Sequence, residues 1–344
     1  ADDYDRKGLF PAMSVIRNLE HFIHTAHERA HGSLLEDEIG VLLPFLHGLS
    51  GRKLKLEASN TTYTDTETIF LPPVMAVFSD RKENFLLYKA TVAHHWAQIQ
   101  FGTFRKDLSQ LRVDQLMKFC SLETVRLDAC IRNELPGLHR QMQALQNKHK
   151  RTTASSAPDE IINILSAPEA SVETTIDLLD KVSHEQCSGF YVYQGTIDPV
   201  AVAATMSKRI EMEKAFFRVA LADWAKELNK VEESNEAPEQ PPARFNLRKK
   251  EVAEDAVNGG MVQLEFEGDL VAPPQHVKQL MSSIIIDFGD IPPEYLVAAG
   301  PGEYDLSVFD SRLNPNDVWK GTYHEEGAQI YNEWNYKRQY YHKN

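Results

Sequence analysis

His27-Glu28-Arg29-Ala30-His31 is a literal His-Glu-x-x-His. On a helix, residues four apart share a face, so the two imidazoles could grip one zinc while the glutamate acts as general base. His21 and His24 extend the same stripe. Taken alone, the pattern points to a metallopeptidase. Three features speak against it. A five-residue pattern carries little information in a chain with 13 histidines. The flanks are polar where a zinc-binding core helix is usually apolar, and no third ligand stands out downstream. Coincidence is the preferred reading, and stoichiometric zinc that is lost in His27→Ala would overturn it.

A second group of histidines lies in Ala93-His94-His95-Trp96-Ala97-Gln98-Ile99-Gln100-Phe101-Gly102-Thr103-Phe104. Thr68-Ile69-Phe70-Leu71-Pro72, Asn84 and Tyr88 precede it; Glu123, Arg126, Asp128 and Pro136-Gly137 follow. Near the end comes Ile330-Tyr331-Asn332-Glu333-Trp334-Asn335-Tyr336-Lys337-Arg338-Gln339-Tyr340-Tyr341. This series resembles the N-terminal region of the CbbO/NorD family. Some members carry Ala-His-Glu-x-Gly-His-Ile-x-Phe-Gly-Thr-Phe, then a Glu-rich Arg-Ile-Asp helix. Further on they carry a Tyr-x-Glu-Trp-Asp-Tyr segment that leads into a von Willebrand factor A domain. The arrangement is zincin-like, with two histidines on one helix and a glutamate on the next. Here His94 matches the first ligand, His95 stands at the general-base glutamate, Gln98 stands at the second ligand, and Glu123 matches the third. A neutral amide is a poor zinc ligand, and an imidazole does not replace the carboxylate that activates water. The resemblance therefore implies a vestigial site, with His94 and Glu123 in a polar, hydrogen-bonded core. A residual metal held by His94, His95 and Glu123 is the alternative.

The same resemblance implies an adaptor without catalytic or cofactor-binding residues of its own. It would join a CbbQ-like hexameric MoxR-type AAA+ ATPase to inhibited Rubisco, so that ATP-driven remodelling releases tight-binding sugar phosphates. In the family the von Willebrand domain engages the client and carries the divalent metal. No Asp-x-Ser-x-Ser occurs before the sequence stops at Asn344. A NorD-like role in nitric oxide reductase maturation is the alternative within the family. A zinc metallopeptidase using His27, Glu28 and His31 is the rival of another class, and a structural interaction protein without an ATPase is the third. No Gly-x-x-x-x-Gly-Lys-Ser/Thr and no Gly-x-Ser-x-Gly is present, which removes a P-loop and the simplest serine hydrolase.

The formal charge of −13 repels phosphate backbones, so nucleic acid is not an expected partner. No apolar run is long enough to span a membrane, and the acidic stretch at residues 1–5 is not expected to act as a secretory signal. The three cysteines (Cys120, Cys130 and Cys187) form no Cys-x-x-Cys and fit a reducing compartment, so the expected location is the cytoplasm.

The elements that must position these residues follow from periodicity. Helices are expected over 13–30, 34–46, 84–100, 108–131, 158–165 and 171–182, and from Asp198-Pro199 onward, where an N-cap acceptor precedes proline at the first helical position. Leu54 and Leu56 alternate with charged residues and pair in expectation with 68–71 as a small β-hairpin. Residues 262–266 and 283–288 read as strands. The expected fold is α+β and predominantly helical. It comprises a helical domain over 1–150 with the hairpin and the degenerate zincin-like motif, and a helical segment over 151–231. An acidic, Pro-rich flexible linker over 232–260 and a mixed segment over 261–344 complete it.

Overall fold

The computed structural model describes residues 32–149, 158–183, 191–229, 243–249 and 262–304, with 334–335 and 340–341. Among the described residues, eight helices and small sheets of two or three strands make a predominantly helical α+β fold. The chain divides into two units, one of Ala1–Ile210 with Ser282–Ile291 and the other of Glu211–Met281 with Pro292–Asn344.

In the first unit, β1 (Ser33–Leu34) pairs antiparallel with β5 (Val74–Met75). Helix α1 (Leu35–Leu49) buries Leu35, Leu42 and Leu46 at steps of seven and four, one stripe of a helix, and its Glu36, Asp37 and Glu38 suit the positive end of the helix dipole. β2 (Lys55–Ala58), β3 (Tyr63–Thr64) and β4 (Thr68–Leu71) form a sheet in the order β2-β4-β3. The expected hairpin is corrected here: β2 runs parallel to β4, with Leu56 opposite Ile69, and β3 takes the antiparallel place beside β4. Parallel neighbours need a longer crossover than a hairpin turn, and the polar stretch between the two apolar runs supplies it. Thr66, at φ 82, is held in that crossover by its N–H donating to Thr64 Oγ1, while Asp65 Oδ1 accepts from the Glu67 and Thr68 N–H groups.

Helix α2 (Arg81–Gln100) starts on Asp80, whose side chain accepts from Lys82 N–H. From Asn84 to Ile99 it is buried on nearly every face, so it is a central helix rather than an amphipathic one. Gly102, at φ 71, stops it in the left-handed conformation that glycine adopts without strain. Short 3₁₀ turns at Thr103–Arg105 and Leu108–Gln110 lead to α3 (Val113–Glu134). The helix expected over 108–131 thus begins later and its first turn is separate. Pro136 opens α4 (Pro136–His149), which buries Leu138, Met142 and Leu145. Two short helices, α5 (Asp159–Leu165) and α6 (Val172–Asp177), follow. Asp198 Oδ1 caps α7 (Pro199–Asn229) by accepting from Val200 and Ala201 N–H, as its Asp-Pro start led one to expect.

In the second unit, β6 (Phe245–Lys249), β7 (Val262–Phe266) and β8 (Asp269–Val271) form an antiparallel meander. Glu267 and Gly268, both at positive φ, make the tight turn between the last two. Trp224 of α7 stacks on Phe245, which packs on Phe266. Two expectations are overturned. Part of the supposed linker over 232–260 is strand β6, because Phe245 has a ladder partner and an aromatic core to enter. Residues 283–288 are not a strand but the end of α8 (Gln275–Phe288). Val277, Leu280, Met281 and Ile284 are buried at helical steps, and that period outweighs the β preference of the isoleucine run. Near the end of the chain β9 (Trp334–Asn335) pairs antiparallel with β10 (Tyr340–Tyr341). Among the described residues, no helix is long and apolar enough to cross a membrane.

Candidate functional site

Because α2 is buried all round, its polar side chains must find partners inside the protein. His94 and His95 are both fully buried, and Gln98 sits one helical turn on. Residues three and four apart meet on a helix, so the Gln98 amide reaches both imidazoles. Its oxygen accepts from His95 Nδ1 at 2.7 Å and its nitrogen donates to His94 Nε2 at 3.4 Å. With the amide so oriented, both rings carry their proton on Nδ1. Burial holds both neutral: it lowers His95 to about 4 and His94 well below its ordinary value, the latter helped by His95 beside it. His94 Nδ1 and His95 Nε2 are left without a hydrogen-bond partner.

Glu123, on α3, has a different environment. Thr103 Oγ1 donates to its Oε1 at 2.5 Å and Thr175 Oγ1 to its Oε2 at 2.7 Å. Arg126, one turn along the same helix, donates from Nε to Oε2 at 3.0 Å and from Nη2 to Oε1. Arg126 Nη2 also donates to the Phe101 carbonyl. A carboxylate offers about four acceptor positions, and these four donors take them. Glu123 therefore ties α3 to the turn after α2 and to α6, and offers no free lone pair to a metal. The structure joins His94 and His95 through Gln98 and gives Glu123 to Arg126. Among the described residues, no group of three His, Cys, Asp or Glu side chains is placed to hold a metal ion. His27, Glu28 and His31 lie outside the described residues.

The sequence reading did not find what covers the histidines. Residues 191–196 lie over them. The Tyr193 ring sits 5.9 Å from that of His94, centroid to centroid, and its hydroxyl donates to Asp128 Oδ2 at 2.7 Å. Gly195, at φ 65, approaches so closely that a Cβ there would stand 2.6 Å from His95 Nε2 and 2.7 Å from the Thr62 carbonyl oxygen, so only glycine fits. Thr196 donates to that same carbonyl from both N–H and Oγ1, and Val192 N–H donates to Gln146 Oε1 on α4. Burial raises the Asp128 carboxyl to about 7, against the lowering effect of the Tyr193 hydroxyl. Asp128 Oδ1 and Gln194 Nε2 have no partner. Each buried polar group left in this way costs about 1–3 kcal/mol. The layer can hold neutral imidazoles and can take up or release a proton at Asp128. It offers no activated nucleophile, and the one unprotonated ring nitrogen that faces no donor, His95 Nε2, is blocked by Gly195.

A further buried cluster fastens residues 282–291. Asp287 accepts from Arg209 Nε and Nη2 at 3.1 and 3.0 Å and pairs with Arg52 Nη2 at 2.8 Å. Arg209 also donates to Thr66 Oγ1, Arg52 donates to Ser283, and Arg105 donates to the Ile286 carbonyl near the end of α8. Cationic side chains there suit the negative end of a helix dipole. The cavity beside Thr66, Arg105 and Asp287, about 10 Å³, has room for about one water molecule. Compared with protein-family models, curated proteins and solved structures, the chain matches none.

Proposed function

We propose that this chain is the adaptor of a MoxR-type AAA+ ATPase, a CbbQ-like hexamer, and that it works in the cytoplasm on inhibited Rubisco without catalysis of its own. The resemblance of residues 93–104, Glu123 and Arg126 to the CbbO/NorD pattern is the basis of the reading. One structural observation carries it further: the positions that would make a zincin are filled by groups that cannot do its chemistry. The carboxylate at the third-ligand position is engaged by Arg126, Thr103 and Thr175. The group at the general-base position is a neutral, covered imidazole. At those two positions no water-activating base remains, which suits a scaffold that transmits motion. In that family the client is met by the von Willebrand domain, so we assign the ATPase contact to the residues described here. Co-purification of this chain with a CbbQ-type hexamer, with and without ATP, tests the assignment. Stable co-elution is the expected result; a hexamer that elutes alone under both conditions contradicts it.

A further inference from the structure

Residues 191–196 are attached to the histidine face by few bonds. Thr196 donates twice to the Thr62 carbonyl, Val192 N–H to Gln146 Oε1, and Tyr193 Oη to Asp128 Oδ2, while the bond from Gln194 N–H to the Tyr191 carbonyl stays within the segment. Beneath them three polar atoms stay unpaired, His94 Nδ1, His95 Nε2 and Asp128 Oδ1, and within the segment a fourth, Gln194 Nε2. The seat is thus well packed but poorly satisfied, and water would satisfy it better.

Asp128 is the group on which this balance turns. Its own helix carries three cations: Lys118, which donates to the Leu179 and Val182 carbonyls, Arg126, already engaged by Glu123 and the Phe101 carbonyl, and Arg132, which is exposed. The α2 side presents His94 and His95, both neutral. The covering segment presents Tyr191 and Tyr193, whose hydroxyls are held protonated by burial and by the carboxylate itself. From α4 the segment meets Gln146, which is uncharged. Ionised, Asp128 is a buried charge with a single hydrogen bond; protonated, it is neutral. A buried carboxylate without a cation keeps its proton or finds water, and water reaches Asp128 when Tyr193 and the segment that carries it move away.

We propose that residues 191–196 form a proton-gated strap, seated on α2 and α3 while Asp128 is protonated and released, exposing the His94–His95 face, when that proton is lost. The inference holds whichever partner the chain serves. In the seated state the Asp128 carboxyl lies at about 7; once hydrated it returns to the ordinary value of about 4. The seated state therefore binds the proton more tightly. The open-to-seated ratio rises about tenfold per pH unit between about pH 4 and about pH 7, and is constant above.

Hydrogen exchange on the full chain, corrected for the intrinsic pH dependence of exchange, reads the strap at the Val192 and Thr196 amides, which bond to Gln146 and Thr62. Their protection is expected to fall about tenfold per pH unit up to about pH 7 and then level off. In Asp128→Asn it is expected to be independent of pH. Tyr193→Phe removes the donor that favours the charged form, so the decline should continue to higher pH than in the wild type. Constant protection across the range in the wild type overturns the proposal, as does an unchanged slope in Asp128→Asn. Should Asp128→Asn not fold, the Tyr193→Phe profile decides: an extended decline supports the strap and an unshifted one overturns it.

Discussion

Helix α3 carries two buried carboxylates, and their surroundings differ. Glu123 has a guanidinium one turn away and two hydroxyls, so that its acceptor positions are filled. Asp128 has one tyrosine hydroxyl and an oxygen with nothing to bind. The first is a joint: fully paired, it fixes α2, α3 and α6 in one arrangement. The second is a place where state can change, because either a proton or water would improve it. Burial alone does not separate structural from responsive polar groups; the completeness of their pairing does.

The largest expected effect comes from breaking the joint. Arg126→Met leaves Glu123 as an uncompensated buried charge and should lower unfolding stability by about 3–5 kcal/mol, measured by denaturant titration. Adding Glu123→Gln to that variant should recover much of the loss, because the stranded charge is then gone. If Arg126→Met costs no more than a surface substitution, the joint is not what it is taken to be.

Asp128 should show itself in the pH dependence. Its folded value is raised, so its contribution to stability is complete below the unfolded value and declines as pH rises towards about 7. A displacement from 3.8 to about 7 corresponds to at most about 4 kcal/mol, less whatever opening of the strap relieves. Chemical denaturation between about pH 4 and 7 should show this decline in the wild type and not in Asp128→Asn. Gly195→Ala tests the close approach above the histidines. A Cβ at positive φ against His95 Nε2 and the Thr62 carbonyl should cost about 1–3 kcal/mol, read as faster proteolysis near residue 195 or as a lower denaturation midpoint. The smallest effect belongs to a pair outside both clusters. Arg81 and Asp37 meet on the surface, about half exposed, and Arg81→Ala should change stability by less than about 1 kcal/mol in the same titration.

Local signals were readable in the sequence where one element decides them. The Asp198-Pro199 start of α7, strand β7 and the central helix α2 all follow from caps and periodicity. The pairing of Glu123 with Arg126 was also within reach, since residues three apart share a helix face and these two are of opposite charge. What was missed depends on distant partners. The parallel pairing of β2 with β4 is set by a crossover that is itself a strand. The helix α4 was not among the expected helices, although Leu138, Met142 and Leu145 fall at helical steps and Pro136 suits a first helical position. Strand β6 looks like linker until Trp224 and Phe266 close on Phe245. Asp128 meets Tyr193, and Arg209 meets Asp287, across long stretches of chain, and no local pattern announces either. The zincin-like reading brought attention to α2 and α3. It could not show that Glu123 was already taken, or that the histidines were covered from the other side by Gly195.

The contrast between the two carboxylates can be tested at Asp128 itself, by following its side-chain carboxyl ¹³C resonance through a pH titration of the full chain. The account predicts a midpoint well above the ordinary carboxylate value, lying below about 7 by as much as release of the strap stabilises the ionised form. An Asp128 midpoint near the ordinary carboxylate value of about 4 would contradict it, since the group would then be hydrated or paired in the folded protein.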